Sequence, residues 1–92
     1  MNNENIKKPK MYNVVLMNSN HITFDFLISV ITEVFKLNIN ESYDKSIEVI
    51  NKGSVKIGPF IKDIAHKKHV EICQISQSHN YSLNSYLEKE DE

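Results

Sequence analysis

Two clusters in this chain have residue types and spacing that chemistry uses. The first is Asn18-Ser19-Asn20, which follows directly on a run in which Tyr12, Val14 and Leu16 alternate with Asn13, Val15 and Met17. That alternation predicts a strand with two unlike faces. Thr23 is placed to cap a helix that starts after it, and Asp25 falls in that helix's first turn. A strand that ends in short polar side chains beside a helix start forms a small polar cup. Such a cup suits one compact polar group rather than a reaction on a large substrate. Taken alone, the triplet also serves as a simple turn. The second cluster is His66, His69 and Cys73, three and four residues apart on one predicted helix side. Both residue types bind zinc, but no fourth ligand is evident, so no metal or cofactor is expected. No Ser-His-acid or Cys-His arrangement can be assembled from motif spacing, and no glycine-rich phosphate loop exists. The chain is therefore expected not to be an enzyme, and no residue is assigned a catalytic role.

The elements that must position the polar triplet are legible in outline. Phe24, Leu27, Ile31, Val34 and Phe35 recur at helical spacing and predict an amphipathic helix ending near Lys36. Asn38 or Asn40 can cap a second helix, with Tyr43, Ile47 and Ile50 as its apolar stripe and Gly53 just past its end. Val55 and Ile57 predict a second strand, broken by Gly58-Pro59. Residues Lys62–Ser78 read as a third helix with Ile64, Ala65, Ile72 and Ile75 facing inward, and residues 83–87 as a short closing strand. The expected fold is α+β, a small three-stranded antiparallel sheet packed against three helices in the order β-α-α-β-α-β. Residues 1–10, nearly free of apolar side chains and carrying Pro9, are expected to be a disordered tail, leaving 11–92 as one domain.

Composition narrows the function. The 92 residues carry a net charge of −1, and every basic residue is lysine. A chain without arginine or excess positive charge is poorly suited to nucleic acid or to anionic lipid. A single cysteine, Cys73, forbids an internal disulfide and fits a reducing compartment. No apolar run approaches the roughly 18 residues of a membrane span. A cytoplasmic or organellar stromal protein is expected, with no nucleic acid or membrane partner, acting as a monomer.

From about Pro9 to Glu88 the sequence resembles the ClpS family, adaptors of the ClpA-type AAA+ protease. The resemblance rests on an ordered set of features: Pro9 and Tyr12 entering the first strand, Asn18 closing it, and Phe26 on the first helix. Gly53, Gly58 and Phe60 lie around the second strand, Asp63 and Lys68 on the third helix, and Leu83, Leu87 and Glu88 at the closing strand. It implies an adaptor that binds the N-terminal domain of a ClpA-type unfoldase. The adaptor holds proteins whose first residue is Leu, Phe, Tyr or Trp. Carried over by position, the amine-binding cluster falls on Asn18, Ser19, Asn20 and Ile50, the hydrophobic pocket on Ile22, Phe24, Leu27, Ser46, Val49 and Leu83, and the unfoldase interface on Asp63 and Lys68. In the family the cluster is an Asn-Asp-Asp run with a His. Here Ser19 and Asn20 replace the acids and Ile50 replaces the His.

The departures have a physical cost. An α-ammonium bonded to a carboxylate gains about 1.5–3 kcal/mol per charge-assisted bond, against about 0.5–1.5 kcal/mol for a neutral one. Ser19 and Asn20 accept hydrogen bonds but cannot neutralise the charge. Amine binding is therefore expected to be weakened or altered. The runner-up is a relative that binds the unfoldase, has lost N-terminal recognition and regulates degradation. A third reading is a small scaffold domain with unrelated protein partners, since the C-terminal domain of the ribosomal stalk protein has a similar fold.

Overall fold

A computed structural model of the protein describes residues 9–19 and 21–90. Asn20 and residues 1–8 of the expected tail lie outside them, and Pro9 and Lys10 are exposed and in no helix or strand. Among the described residues the elements run β1 (Met11–Met17), α1 (Phe24–Phe35), α2 (Ile39–Lys52), β2 (Ser54–Ile61), α3 (Lys62–Ser78) and β3 (Asn84–Lys89). The sheet order is β2-β1-β3, and both pairings are antiparallel. This is the expected architecture, with β1 at the centre.

Local chemistry sets the helix ends. Phe26 N–H donates to Thr23 Oγ1 at 3.1 Å, which caps α1. Asn38, not Asn40, caps α2 through a reciprocal box: Glu41 N–H donates to Asn38 Oδ1 at 2.8 Å, and the Asn38 N–H donates back to the Glu41 carboxylate. Gly53 ends α2 in the left-handed region at φ 88°, where its N–H donates to Val49 O. Leu27, Val30, Ile31 and Val34 of α1 are fully buried with Val14 and Leu16 of β1, Val55 and Ile57 of β2, and Ala65 and Ile72 of α3. Each such aliphatic side chain contributes about 1.5–3 kcal/mol by leaving water.

Four local expectations are corrected. The buried face of α2 is Ser42, Ser46 and Val49, whereas Tyr43 and Ile50 are exposed. The serines satisfy themselves: Thr32 Oγ1 donates to Ser42 Oγ at 2.8 Å, and Ser46 Oγ donates to Ser42 O at 2.8 Å. Small hydroxyls let α1 and α2 approach closely, so the polar face packs inward and the bulkier apolar stripe stays out. Strand β2 is not broken at Gly58-Pro59 but runs through to Ile61, because a register shift opposite Tyr12 and Val14 absorbs the irregularity as a bulge. Glycine is required there: at φ 145° a Cβ would lie 2.8 Å from Asn13 Oδ1. Ile64 is exposed, leaving Ala65 and Ile72 as the fully buried apolar positions of α3. The closing strand begins one residue later than expected and extends to Lys89, and Leu83 is buried just ahead of it.

The sheet's second face is partly open, with Tyr86 47% exposed. Val15 is buried there between its neighbours Lys56 and Tyr86. Lys56 on β2 pairs with Glu88 on β3 at 3.0 Å, reaching across the central strand. The two side chains are 62% and 42% exposed.

Candidate functional site

The polar cup is assembled by three segments from distant parts of the chain. Where β1 ends, the Asn18 N–H donates to Gly53 O at 2.9 Å, which ties the triplet to the C-terminal cap of α2. The hydroxyls of Ser19 and Ser82 lie 3.4 Å apart, which ties it to the loop between α3 and β3. Asn18 Oδ1 accepts from the Ser19 N–H at 2.9 Å, so the side chain is held with its amide nitrogen free of this bond. Ile50 is 45% exposed on the last turn of α2, three residues before the glycine that Asn18 contacts.

The third segment is held in place by Ser76, which is buried near the end of α3. Its hydroxyl donates to Tyr81 O at 3.2 Å and accepts from the Leu83 N–H at 2.9 Å. Tyr81 N–H donates in turn to Ser76 O at 2.9 Å. The Tyr81 ring lies 4.3 Å from that of Phe26, in the first turn of α1. The α1 start, the α2 end and the loop before β3 therefore converge.

The positions that the resemblance assigned to the pocket divide into two layers. Leu27, Ser46, Val49 and Leu83 are buried in the folded chain, three of them in the main apolar cluster. Ile22 is half-buried and packs on that cluster. Phe24 is half-buried and meets Tyr43 edge-on, with ring centres 5.3 Å apart. The deep layer is part of the core, whereas Ile22 and Phe24 are half-buried and Ile50 is exposed. Tyr43, Gly53 and Ser82 belong to this neighbourhood and were not singled out for it in the sequence. Ser82 is 63 residues from its partner, so no local pattern marks it.

Asp63 and Lys68 are unlike each other. Asp63 is exposed in the first turn of α3, a helix whose N-cap, Ile61, supplies no side-chain hydrogen bond. Lys68 is half-buried and engaged inside the molecule. Its Nζ donates to Val34 O at 2.9 Å and lies 5.7 Å and 5.3 Å from the ring centres of Phe35 and Phe60. Those rings stack on each other at 6.0 Å. No basic residue falls in the last turn of α1, so Lys68 supplies from α3 the positive charge that a helix C-terminus favours. Lys68 is thus a partly buried charge engaged within the fold, whereas Asp63 is open to solvent.

The His69 ring bonds Ser85 Oγ at 2.7 Å through Nδ1, and its Nε2 is 4.0 Å from Cys73 Sγ. Among the described residues no group of three or more His, Cys, Asp or Glu side chains is placed to hold a metal ion. No helix among them is long and apolar enough to cross a membrane.

The same architecture occurs in known proteins. The structure of Agrobacterium tumefaciens ClpS2 bound to L-phenylalaninamide superposes with a TM-score of 0.86 at 24% identity, covering 90% of this chain and all of that one. By sequence, the ATP-dependent Clp protease adapter protein ClpS of Nautilia profundicola is 31% identical over 88 residues, covering 96% of this chain and 91% of that protein. The ClpS adapter of Bdellovibrio bacteriovorus is 33% identical over 82 residues, 89% of this chain and 72% of that protein. The Campylobacter jejuni adapter is 28% identical over 85 residues, with 92% and 88% covered. Residues 7–86 match the family described as ATP-dependent Clp protease adaptor protein ClpS. Fold, relatives and family match agree over nearly the same span, and the chain belongs to the ClpS family of Clp protease adaptors.

Proposed function

We propose that this adaptor docks on the N-terminal domain of a ClpA-type unfoldase and presents proteins that begin with a hydrophobic residue, Leu, Phe, Tyr or Trp. The observation that carries the reading is the convergence of Asn18 and Ser19 with the α2 end that bears Ile50 and with the loop that holds Ser82. These segments carry small polar groups in Asn18, Ser19 and Ser82 and an exposed apolar side chain in Ile50, the two kinds of group that a terminal backbone and its first side chain require. The related ClpS2 was solved with L-phenylalaninamide, a single aromatic residue. No bond is made or broken in this task. The adaptor contributes recognition, and the unfoldase contributes work.

Ser19, Asn20 and Ile50 leave a free ammonium without a counter-charge, so its binding is weak. The same three residues favour the runner-up, an adaptor that docks without reading N-termini. Asp63 supplies an exposed charge to the docking face. Lys68 supplies its shape, since its ammonium is committed to Val34 and two rings.

A degradation assay with the unfoldase and its peptidase tests the reading. A reporter beginning with Phe should be degraded faster with the adaptor present, and the same reporter beginning with Asp should not. Co-elution with the unfoldase without acceleration of either reporter favours the runner-up. No co-elution contradicts both.

A further inference from the structure

The two edges of the sheet differ. In the order β2-β1-β3 each outer strand has one side turned away from β1. On β2 that strand is interrupted by the bulge opposite Tyr12 and Val14 and by Pro59, which has no N–H to offer. On β3 the register with β1 is regular, from Tyr12 with Lys89 to Met17 with Asn84. The Glu90 N–H donates to Met11 O at 2.8 Å in line with that ladder, and the Asn18 N–H donates to Gly53 O on the other side of β1. Together these bonds fix the alternation. Asn84, Tyr86, Glu88 and Glu90 turn their backbone groups to β1, and Ser85, Leu87 and Lys89 turn theirs outward. Among the described residues no backbone group pairs with those three. Helix α3 reaches β3 through a side chain, the His69 ring on Ser85 Oγ, which leaves the strand's backbone unpaired. The acids on the open face are held within the chain, Glu88 by Lys56 and Glu90 by Asn13.

We propose that β3 pairs antiparallel with β3 of a second copy of this chain, joining the two sheets into one. The outward groups allow a new ladder only through Ser85, Leu87 and Lys89. A two-fold axis at Leu87 uses all three. Ser85 bonds Lys89 of the second copy, Leu87 bonds its counterpart, and Lys89 bonds Ser85 of the second copy. On the open face Tyr86 then stands opposite Glu88 of the second copy, and Asn84 opposite Glu90 of the second copy, so no like charges are opposed. The exposed Tyr86 also has the second Tyr86 on its diagonal, within reach of an aromatic side chain. Other pairings fit less well. An axis at Glu88 sets Glu88 against Glu88. An axis at Tyr86 sets Lys89 against Leu83, whose N–H is already given to Ser76 Oγ. Parallel strands set Glu88 and Glu90 of the two copies side by side. The contact is isologous and closes at two chains, because the edges that remain are the interrupted β2 strands. Built on main-chain bonds without a large apolar core, it is a weak association. The monomer expected from the sequence is then the dilute form.

Sedimentation equilibrium and amide hydrogen exchange of the full chain test this, from about 10 µM to about 1 mM, the span in which a small contact associates. The mass should rise from one chain towards two. The Ser85, Leu87 and Lys89 amides, fast to exchange when dilute, should slow by about fivefold or more at the upper concentration, while Tyr86 and Glu88 stay slow throughout. Tyr86→Glu sets an acid against Glu88 of the second copy, and Lys89→Pro removes an outward N–H. Each variant should keep the mass of one chain over the whole range, with a thermal midpoint at low concentration close to that of the unaltered protein. A single-chain mass at every concentration overturns the proposal. So does a dimer in which the three amides still exchange fast, or one that both variants leave intact. Slowing of the three amides only on adding the unfoldase's N-terminal domain also overturns it, and gives the edge to that partner.

Discussion

The cup at the end of β1 and the clasp around Lys68 use polar groups in opposite ways. At the clasp every strong interaction is internal: an ammonium on a helix-end carbonyl, seated on two stacked rings. At the cup the backbone is fixed, with Asn18 on Gly53 and Leu83 on Ser76, while Ser19 and Ser82 meet only at 3.4 Å. A side chain with all its bonds made inside the fold supports the fold. One whose backbone is pinned but whose polar atoms have capacity left is available to a ligand. Both regions were marked by the family resemblance as contact sites, and burial and bonding separate them.

The largest expected effect breaks the clasp. Lys68→Glu puts a carboxylate against the carboxyl end of α1 and removes a charged hydrogen bond and two ring contacts. It should cost about 2–3 kcal/mol in denaturant unfolding, and Lys68→Met about 1–2 kcal/mol. A neutral result for both would show that the contacts of Lys68 with Val34 and the two rings do not support the fold.

Next in size is Ser76→Ala. It strips the Leu83 N–H and the Tyr81 carbonyl of the same buried hydroxyl and should destabilise by about 1–3 kcal/mol. Because Ser82 lies between those two residues, Phe-peptide binding should fall further than the unfolding loss alone explains. Loss of stability without loss of binding would detach the loop from the cup.

A smaller effect is expected at Asp63. Asp63→Asn removes an acid from the first turn of an uncapped helix and should cost about 0.3–1 kcal/mol. Asp63→Lys should weaken capture of the unfoldase's N-terminal domain while the protein stays folded. Unchanged capture would move the docking face away from the start of α3.

Much of this was legible in the sequence. Thr23 and Gly53 announced the helix ends, and the apolar spacing of α1 named Leu27, Ile31, Val34 and Phe35 among its buried residues but missed Phe26 and Val30 and included the half-buried Phe24. The orientation of α2 was hidden, because its inward face is serines whose partners are Thr32 and a backbone carbonyl. The continuation of β2 through Gly58-Pro59 was hidden by a bulge that depends on Asn13, far away in the chain. In the cup, Asn18 and Ser19 could be picked out by their position after β1. Ser82 and Gly53 could not, since only tertiary pairing brings them there. The engagement of Lys68 with Val34 spans 34 residues and leaves no local pattern.

The most direct test of the contrast is a map of amide chemical shifts on adding a Phe-first peptide in excess. The account predicts shifts at Ser19, Ile22, Ile50, Gly53 and Ser82, with Val34, Phe60 and Lys68 unmoved. Shifts centred on α3 around Asp63 and Lys68, with the cup unperturbed, would contradict it.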